Sequence, residues 1–324
     1  MEAEAARWRP ASRRWRRVFE SRRVLAPLLI APAIIFMLLV VGVPFAWAIY
    51  LSLTDAVGGS LSGNWVGFDN FTNAWQDDNF RRALRNTLIF TFVSQGLVVI
   101  GAAIVSSYLV RDFRGKWFVR FLVILPWAAP VVLSTITWLW LLDSLYSVGN
   151  WTLAKLHLDN GLIWLLGAVN LEEGAQAPLQ WLGRPNLALI AITIVHAWRI
   201  LPFAVVIFIA GRASIPNEVE DASKIDGATG LKKLWYVDVP LQLPIALVAV
   251  LFGIVFTAGD FAVVYILTQG GPFNSTQVLP TWAFQVGINS GSLGEGAAIS
   301  LYLFPLLIVV SVAMLLFARR AQVT

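Results

Sequence analysis

Long apolar runs separated by polar stretches dominate the pattern of this chain. A bilayer needs about 20 predominantly apolar residues per helical span. Six runs meet that need: 24–53, 84–110, 118–142, 187–211, 243–269 and 296–318. The pattern therefore predicts an all-α polytopic membrane protein with six transmembrane helices. The first run is too long for a signal-peptide core and has no convincing small-residue cleavage site, so it reads as a retained signal anchor. No repeat of solenoid period and no low-complexity linker breaks the series.

The segments between the runs alternate sides. The tail 1–23, the loop 111–120, the loop 212–242 and the end 319–324 together hold eighteen Lys and Arg, against five on the other side: Arg81, Arg82, Arg85, Lys155 and Arg184. Excess Lys and Arg mark the cytoplasmic side, which predicts that both termini are cytoplasmic. The organisation expected is an Arg-rich tail (1–23), a six-span domain (24–318) and a short cytoplasmic end (319–324). Within the domain lie an external loop or cap at 143–186 and a cytoplasmic loop at 212–242. The apolar piece Leu162 to Val169 is too short to span and reads as an interfacial helix or part of a small packed cap.

Composition agrees and removes several function classes. Of the 324 residues, 58% are hydrophobic and 13% charged, against about a quarter charged in soluble domains. No cysteine is present, which excludes disulfides, thiolate metal sites and cysteine nucleophiles. His157 and His196 are the only histidines, so a histidine-rich metal site is not expected. The net charge of +5 would suit nucleic acid, but eight arginines crowd the first 23 residues beside an apolar run. That placement points to anionic lipid and to fixing of topology. A membrane-embedded enzyme would need a nucleophile–base pair or metal ligands at depth, and no H-E-x-x-H pattern exists.

The most informative stretch is Ser214 to Pro244. Ser214, Ile215 and Pro216 should stop the preceding span. Asn217 is placed to cap a short helix, with Glu220 three residues on to reach back. Glu218, Glu220 and Asp221 complement the dipole of its first turn. Gly227 and Gly230 supply an end and a turn, and Pro240 and Pro244 start the next span. Taken alone, this is also what an ordinary solvated amphipathic loop looks like.

The spacing Asp221-Ala222-Ser223, three residues, Gly227, nine residues, Val237-Asp238-Val239-Pro240 resembles the EAA loop of ABC importer permeases. That family pattern reads Glu-Ala-Ala, three residues, Gly, nine residues, Ile-x-Leu-Pro. The departures keep size or charge: Asp221 for Glu, Ser223 for Ala, Val237 and Val239 for Ile and Leu. Further pieces fit in order, among them Val66-Gly67-Phe68-Asp69-Asn70-Phe71, Trp198-Arg199-x-x-Pro202-Phe203 and Leu267-Thr268-Gln269-Gly270-Gly271-Pro272 with Thr276. The last is similar to one of the two paired permeases of maltose-like systems, the larger type. The resemblance covers about 45–280 and leaves 151–186 unmatched.

It implies the type I ABC importer permease fold with a cytoplasmic coupling helix, in a prokaryotic plasma (inner) membrane. The partners implied are a second homologous permease, two cytoplasmic ATPase subunits and an external solute-binding protein. Glu218, Asp221, Ala222, Ser223, Asp226 and Gly227 would then dock on an ATPase. ATP and Mg would be used by that partner and no cofactor by this chain. In agreement, the chain has no G-x-x-x-x-G-K-[ST] phosphate loop. The solute implied is a sugar, a di- or oligosaccharide such as maltose or trehalose, with a glycerol-phosphate-type solute as the alternative. A secondary transporter independent of ATP is the other rival, though the two related halves common in such proteins are not evident.

Ionisable groups inside a span suggest function by default. His196 and Arg199 lie in the fourth run and Asp260 in the fifth. Two readings stand side by side: a structural ion pair between adjacent helices, or a polar cavity that binds solute. The family resemblance places Phe203, Gly253, Thr257 and Asp260 near the solute position. Phe203 would stack on a sugar face and Thr257 would hydrogen-bond it, with plain helix packing the competing account of both. Of the tryptophans, Trp47, Trp117, Trp138, Trp140 and Trp282 fall near span ends as interfacial anchors. Trp164 and Trp181 are candidates to meet a binding protein.

Overall fold

The computed structural model describes residues 22–60, 62–158, 161–162 and 178–321. The tail 1–21 and the apolar piece at 163–169, for which a cap or interfacial helix was expected, lie outside the described residues, as does Trp164.

Five helices are long and apolar enough to cross a membrane: α1 (Leu25–Ser52), α3 (Asp78–Leu109), α7 (Pro185–Ala213), α9 (Leu234–Ala258) and α12 (Leu293–Phe317). The sixth span is two helices, α4 (Lys116–Ala128) and α5 (Val131–Leu141), which meet at 98°. A single straight span over 118–142 was expected, and the correction has a local cause. Proline disfavours the α region in the residue before it. Ala129, which precedes Pro130, is extended (φ −70°, ψ 143°).

The fifth run differs in a similar way. Its helix starts at Leu234, not 243, so Pro240 and Pro244 lie inside α9. The run then breaks at Gly259-Asp260-Phe261 and resumes as α10 (Ala262–Thr268). Shorter helices complete the chain: α2 (Asp69–Gln76), α6 (Val148–Lys155), α8 (Asn217–Ile225) and α11 (Leu279–Phe284).

The bundle is organised around α3 and α7, the most extensively paired helices, with α9 against both. Val98, Ala102, Ile200, Ala204, Val205 and Ala249 form the apolar centre of that trio. Nearer the starts of α3 and α7, Phe90, Ile192, Val195, Val263 and Val264 make a second core, which brings α10 against α3 and α7. α5 packs on α10, so the two broken spans meet each other. α1 contacts the rest mainly through Val43–Ser52 on the start of α12, and its other residues are largely exposed. An all-round apolar, exposed helix of this length is what a lipid-facing span looks like.

The tryptophans divide. Trp117 and Trp140 are exposed as anchors should be. Trp282 is not an anchor but is buried against Phe80, Ala83 and Ile299. Trp181 donates from Nε1 to Asn150 Oδ1 at 2.9 Å and packs on the buried Leu179 and Leu187.

The loop after α10 is tied down by one buried side chain. Asn86 of α3 donates from Nδ2 to the carbonyls of Ser275 (2.7 Å) and Gln277 (3.0 Å). Asn86→Ala would leave buried carbonyls without donors, which costs about 1–3 kcal/mol. The expected outcome is a lower melting temperature in detergent, measured by intrinsic tryptophan fluorescence, with Asn86→Asp failing to rescue it because a carboxylate cannot donate.

Candidate functional site

Two groups of residues carry the candidate chemistry, one at the break in the fifth span and one on the loop between α7 and α9. At the break, Asp260 does two jobs. Its Oδ1 accepts from the backbone N–H of Val263 at 2.9 Å, satisfying one of the donors that the start of α10 leaves open. Its Oδ2 accepts from Arg199 Nη2 at 2.5 Å, and His196 Nδ1 stands 3.4 Å away. The structural ion pair is therefore formed between α7 and the break.

The chain of bonds continues inward. His196 Nε2 lies 3.0 Å from Thr257 Oγ1, and Thr257 donates to the Gly253 carbonyl at 2.6 Å. Because the threonine proton points at Gly253, its oxygen accepts, and Nε2 of His196 carries the proton. His196, Gly253, Thr257 and Asp260 are all buried within the chain. Thr257 is 2% exposed and both its roles are filled, so in this conformation it does not offer its hydroxyl to a solute. Arg199 and Phe203 retain part of their surface.

Phe203 leads to residues that sequence reasoning missed. Its ring is 6.1 Å from Phe252, 5.7 Å from Phe256 and 6.2 Å from Trp127. Phe252, Phe256 and Trp127 are all about half exposed, giving an aromatic wall on one face of α4, α7 and α9. The signal was present in the i, i+4 spacing of Phe252 and Phe256, but nothing in the sequence tied that face to Phe203.

Gln95 is the other missed residue. It is buried on α3 with neither amide atom hydrogen-bonded. It lies against Gly253, where a Cβ would collide with the amide group. Gly253 is thus a point of close helix approach.

The loop group is built on α8. The expected Asn217 cap is not the geometry found: the helix begins at Asn217, Pro216 holds the capping position, and no side chain caps it. Glu220 instead accepts from Lys233 at 3.2 Å. Lys233 also lies 3.5 Å from Asp238, which is 3.5 Å from Arg212 at the end of α7. Ser223 is buried and donates to the Glu220 carbonyl at 2.7 Å. Glu218, Asp221, Ala222 and Asp226 face outward, as does Ile225, which is 86% exposed. Asp221 pairs with Lys224 at 2.8 Å and raises that ammonium's pKa.

Gly227 ends the helix at φ +71°. Gly227 N–H donates to the Lys224 carbonyl (3.1 Å) and Ala228 N–H to that of Ser223 (2.8 Å), the two bonds of a Schellman end. Nothing would touch an added Cβ, so the demand for glycine here is conformational rather than steric.

A family profile described as the binding-protein-dependent transport system inner membrane component matches residues 98–323. The chain belongs to that family. Among relatives, this inner membrane component is 27% identical to the sulfoquinovosyl glycerol transport system permease protein SmoG of Agrobacterium fabrum, over 94% of both chains. It is 28% identical to the trehalose/maltose transport system permease protein MalF of Thermococcus litoralis, over 91% of this chain and 94% of that one. It is 27% identical to the sn-glycerol-3-phosphate transport system permease protein UgpA of A. fabrum, over 92% and 96%. The fold is that of a subunit in the crystal structure of a bacterial ABC transporter involved in alginate import, with a TM-score of 0.73 and 18% identity over 95% and 99% of the two chains. The sequence expectation of an ABC importer permease fold therefore holds.

Removing Asp260 alone would strand the Arg199 guanidinium in the bundle. Breaking one partner of a buried pair costs about 3–5 kcal/mol, whereas replacing both by apolar groups is often tolerated. Asp260→Ala should lower the yield of folded, monodisperse protein in detergent, and Arg199→Met with Asp260→Leu should recover part of it. Size-exclusion profiles of the three proteins check this.

Proposed function

We propose that this chain forms half of the membrane pathway of an ATP-driven importer for a neutral, hydroxyl-rich solute, a di- or oligosaccharide. An external binding protein delivers the solute. A second, similar permease completes the pathway, and separate ATPase subunits drive it through α8. The membrane orientation that goes with this places α8 and both termini on the cytoplasmic side, as the Lys and Arg distribution suggests.

The observation that carries the reading is the form of α8. One side buries Ser223 and is anchored through the Glu220–Lys233 ion pair. The other presents Glu218, Asp221, Ala222 and Ile225 to the outside. A short helix with a fixed base and a bare acidic-apolar face suits a lever that seats in a partner. The chain has no nucleotide-binding motif of its own, so hydrolysis of ATP with Mg belongs to that partner.

The solute class rests on three supports. The relatives are named for transport of sugar derivatives and a polyol phosphate. The aromatic wall of Phe203, Phe252, Phe256 and Trp127 suits the apolar face of a sugar ring. Arg199, one turn before Phe203 on α7, is already engaged by Asp260 at 2.5 Å, which favours a neutral solute over a phosphorylated one.

Two outcomes test this in proteoliposomes holding the chain with its co-expressed partners. Asp221→Lys sets a cation beside Lys224 on the docking face, and Gly227→Leu strains the helix end. Like charges in an interface cost several kcal/mol, so uptake should fall by about tenfold or more while insertion is unchanged. Unaltered ATP-dependent uptake in both would remove the coupling role. Phe203→Ala and Phe252→Ala should each raise the apparent KM for sugar about two- to tenfold, the equivalent of about 0.5–1.5 kcal/mol per lost ring contact. Equal KM values would place the solute elsewhere.

A further inference from the structure

Two adjoining cavities lie at the end of the bundle that carries α8, and neither is used by the solute or coupling reading. The first is a groove of about 420 Å³ between α3 and α9, lined by Val99, Ala103, Leu243, Leu247 and Val250. It is apolar except at its end, where Arg212 and Gln242 stand. The second, of about 470 Å³, begins at that same Arg212 and is polar, bounded by Ser107, Arg111, Glu220, Lys233 and Asp238. Trp235 and Tyr236 are strongly exposed next to them, as side chains at headgroup depth often are.

The charges in the polar cavity do not cancel. Asp238 and Glu220 are met by Arg212 and Lys233. Arg111 is left over: it sits 5.6 Å over the Tyr108 ring, and no carboxylate among the described residues pairs with it. Arg212 is also incompletely served. It donates to Ser107 Oγ at 3.0 Å, yet its Nε–H is buried with no acceptor. An apolar slot leading to an unfilled guanidinium donor and a surplus cation complements a molecule with a chain at one end and a phosphate at the other.

We propose that an anionic phospholipid occupies this place, with an acyl chain in the α3–α9 groove and its phosphate between Arg111 and Arg212. A basic pocket between spans beside an apolar groove is suited to such a headgroup. The first span of a second copy fits less well. Residues 25–52 contain no carboxylate, and the flank of that span is Arg22 and Arg23, which would meet the surplus cation with more positive charge. Seated here, the lipid would bridge the loop that follows α3, through Arg111, to the Lys233–Glu220 anchor of α8. It would thereby steady the base of the coupling helix.

The test is native mass spectrometry of the full-length chain, purified with its co-expressed partner subunits. Dioleoyl phosphatidylglycerol or dioleoyl phosphatidylcholine is added back. The complex should retain phosphatidylglycerol in preference to phosphatidylcholine. Arg111→Gln, at an exposed position, should weaken that retention about fivefold, as expected for about 1 kcal/mol per basic residue near an anionic headgroup. Leu243→Trp, which fills the groove from its rim, should weaken it without changing the melting temperature. Equal retention of the two lipids, or a preference that neither variant alters, would overturn the proposal. So would full displacement by water-soluble glycerophosphate, which would mean a free-anion site, or binding only after the partners are removed, which would mean a protein-covered groove. None of these readouts involves transport, so they stand or fall apart from the sugar assignment.

Discussion

A bilayer offers no water to satisfy a broken backbone, so every interruption of a span must be repaired by the protein itself. That constraint explains where this chain puts its buried polar side chains. The fifth span stops at Gly259 and restarts at Ala262, and Asp260 supplies the missing acceptor. A carboxylate placed there needs a cation, and Arg199 comes from the neighbouring α7 to provide it. His196 and Thr257 extend the repair to the Gly253 carbonyl. What looks in isolation like a polar binding site is first of all the closure of a helix break.

The same break shapes the rest of the bundle. After the break at Asp260, α10 packs against α5, the second half of the other broken span. Both breaks thus lie on neighbouring elements, and the half-exposed aromatic wall is built from the helices next to them. The unbonded amide of Gln95 against Gly253 marks the contact between α3 and α9 as one with polar capacity in reserve.

At the opposite end, α8 is held by an ion-pair relay running from Arg212 through Asp238 and Lys233 to Glu220. The relay joins the end of α7 and the start of α9 to the base of α8, so that under the proposed coupling role a push on α8 is delivered to the two spans that flank the loop. Those are also the spans that carry the Arg199–Asp260 pair and most of the aromatic wall. In the proposed function, coupling and pathway are therefore the two ends of the same pair of helices.

Much of this was readable from the sequence. The six apolar runs reflect the thickness of a bilayer, and this is legible because hydropathy is a summed property of local composition. The end of the loop helix was legible because turn chemistry is local: Gly227 at φ +71° is what a helix end of this kind requires, whereas the expected Asn217 cap and the start of the next span at Pro240 were not what the fold adopts. The 98° bend at Pro130 and the break at Asp260 were not foreseen. A run of apolar residues has the same hydropathy whether straight or broken, although Pro130 and Gly259 were visible. The Arg199–Asp260 pair was one of two readings the sequence left open, and the sequence could not decide between them, since residues sixty positions apart meet only through the packing of α7 on α9. The sequence on its own determined that these groups were costly enough to need a partner. Only the tertiary structure decided that they satisfy one another, that Thr257 is taken up in the same chain, and that Phe252, Phe256 and Trp127 stand beside Phe203 on a surface left open.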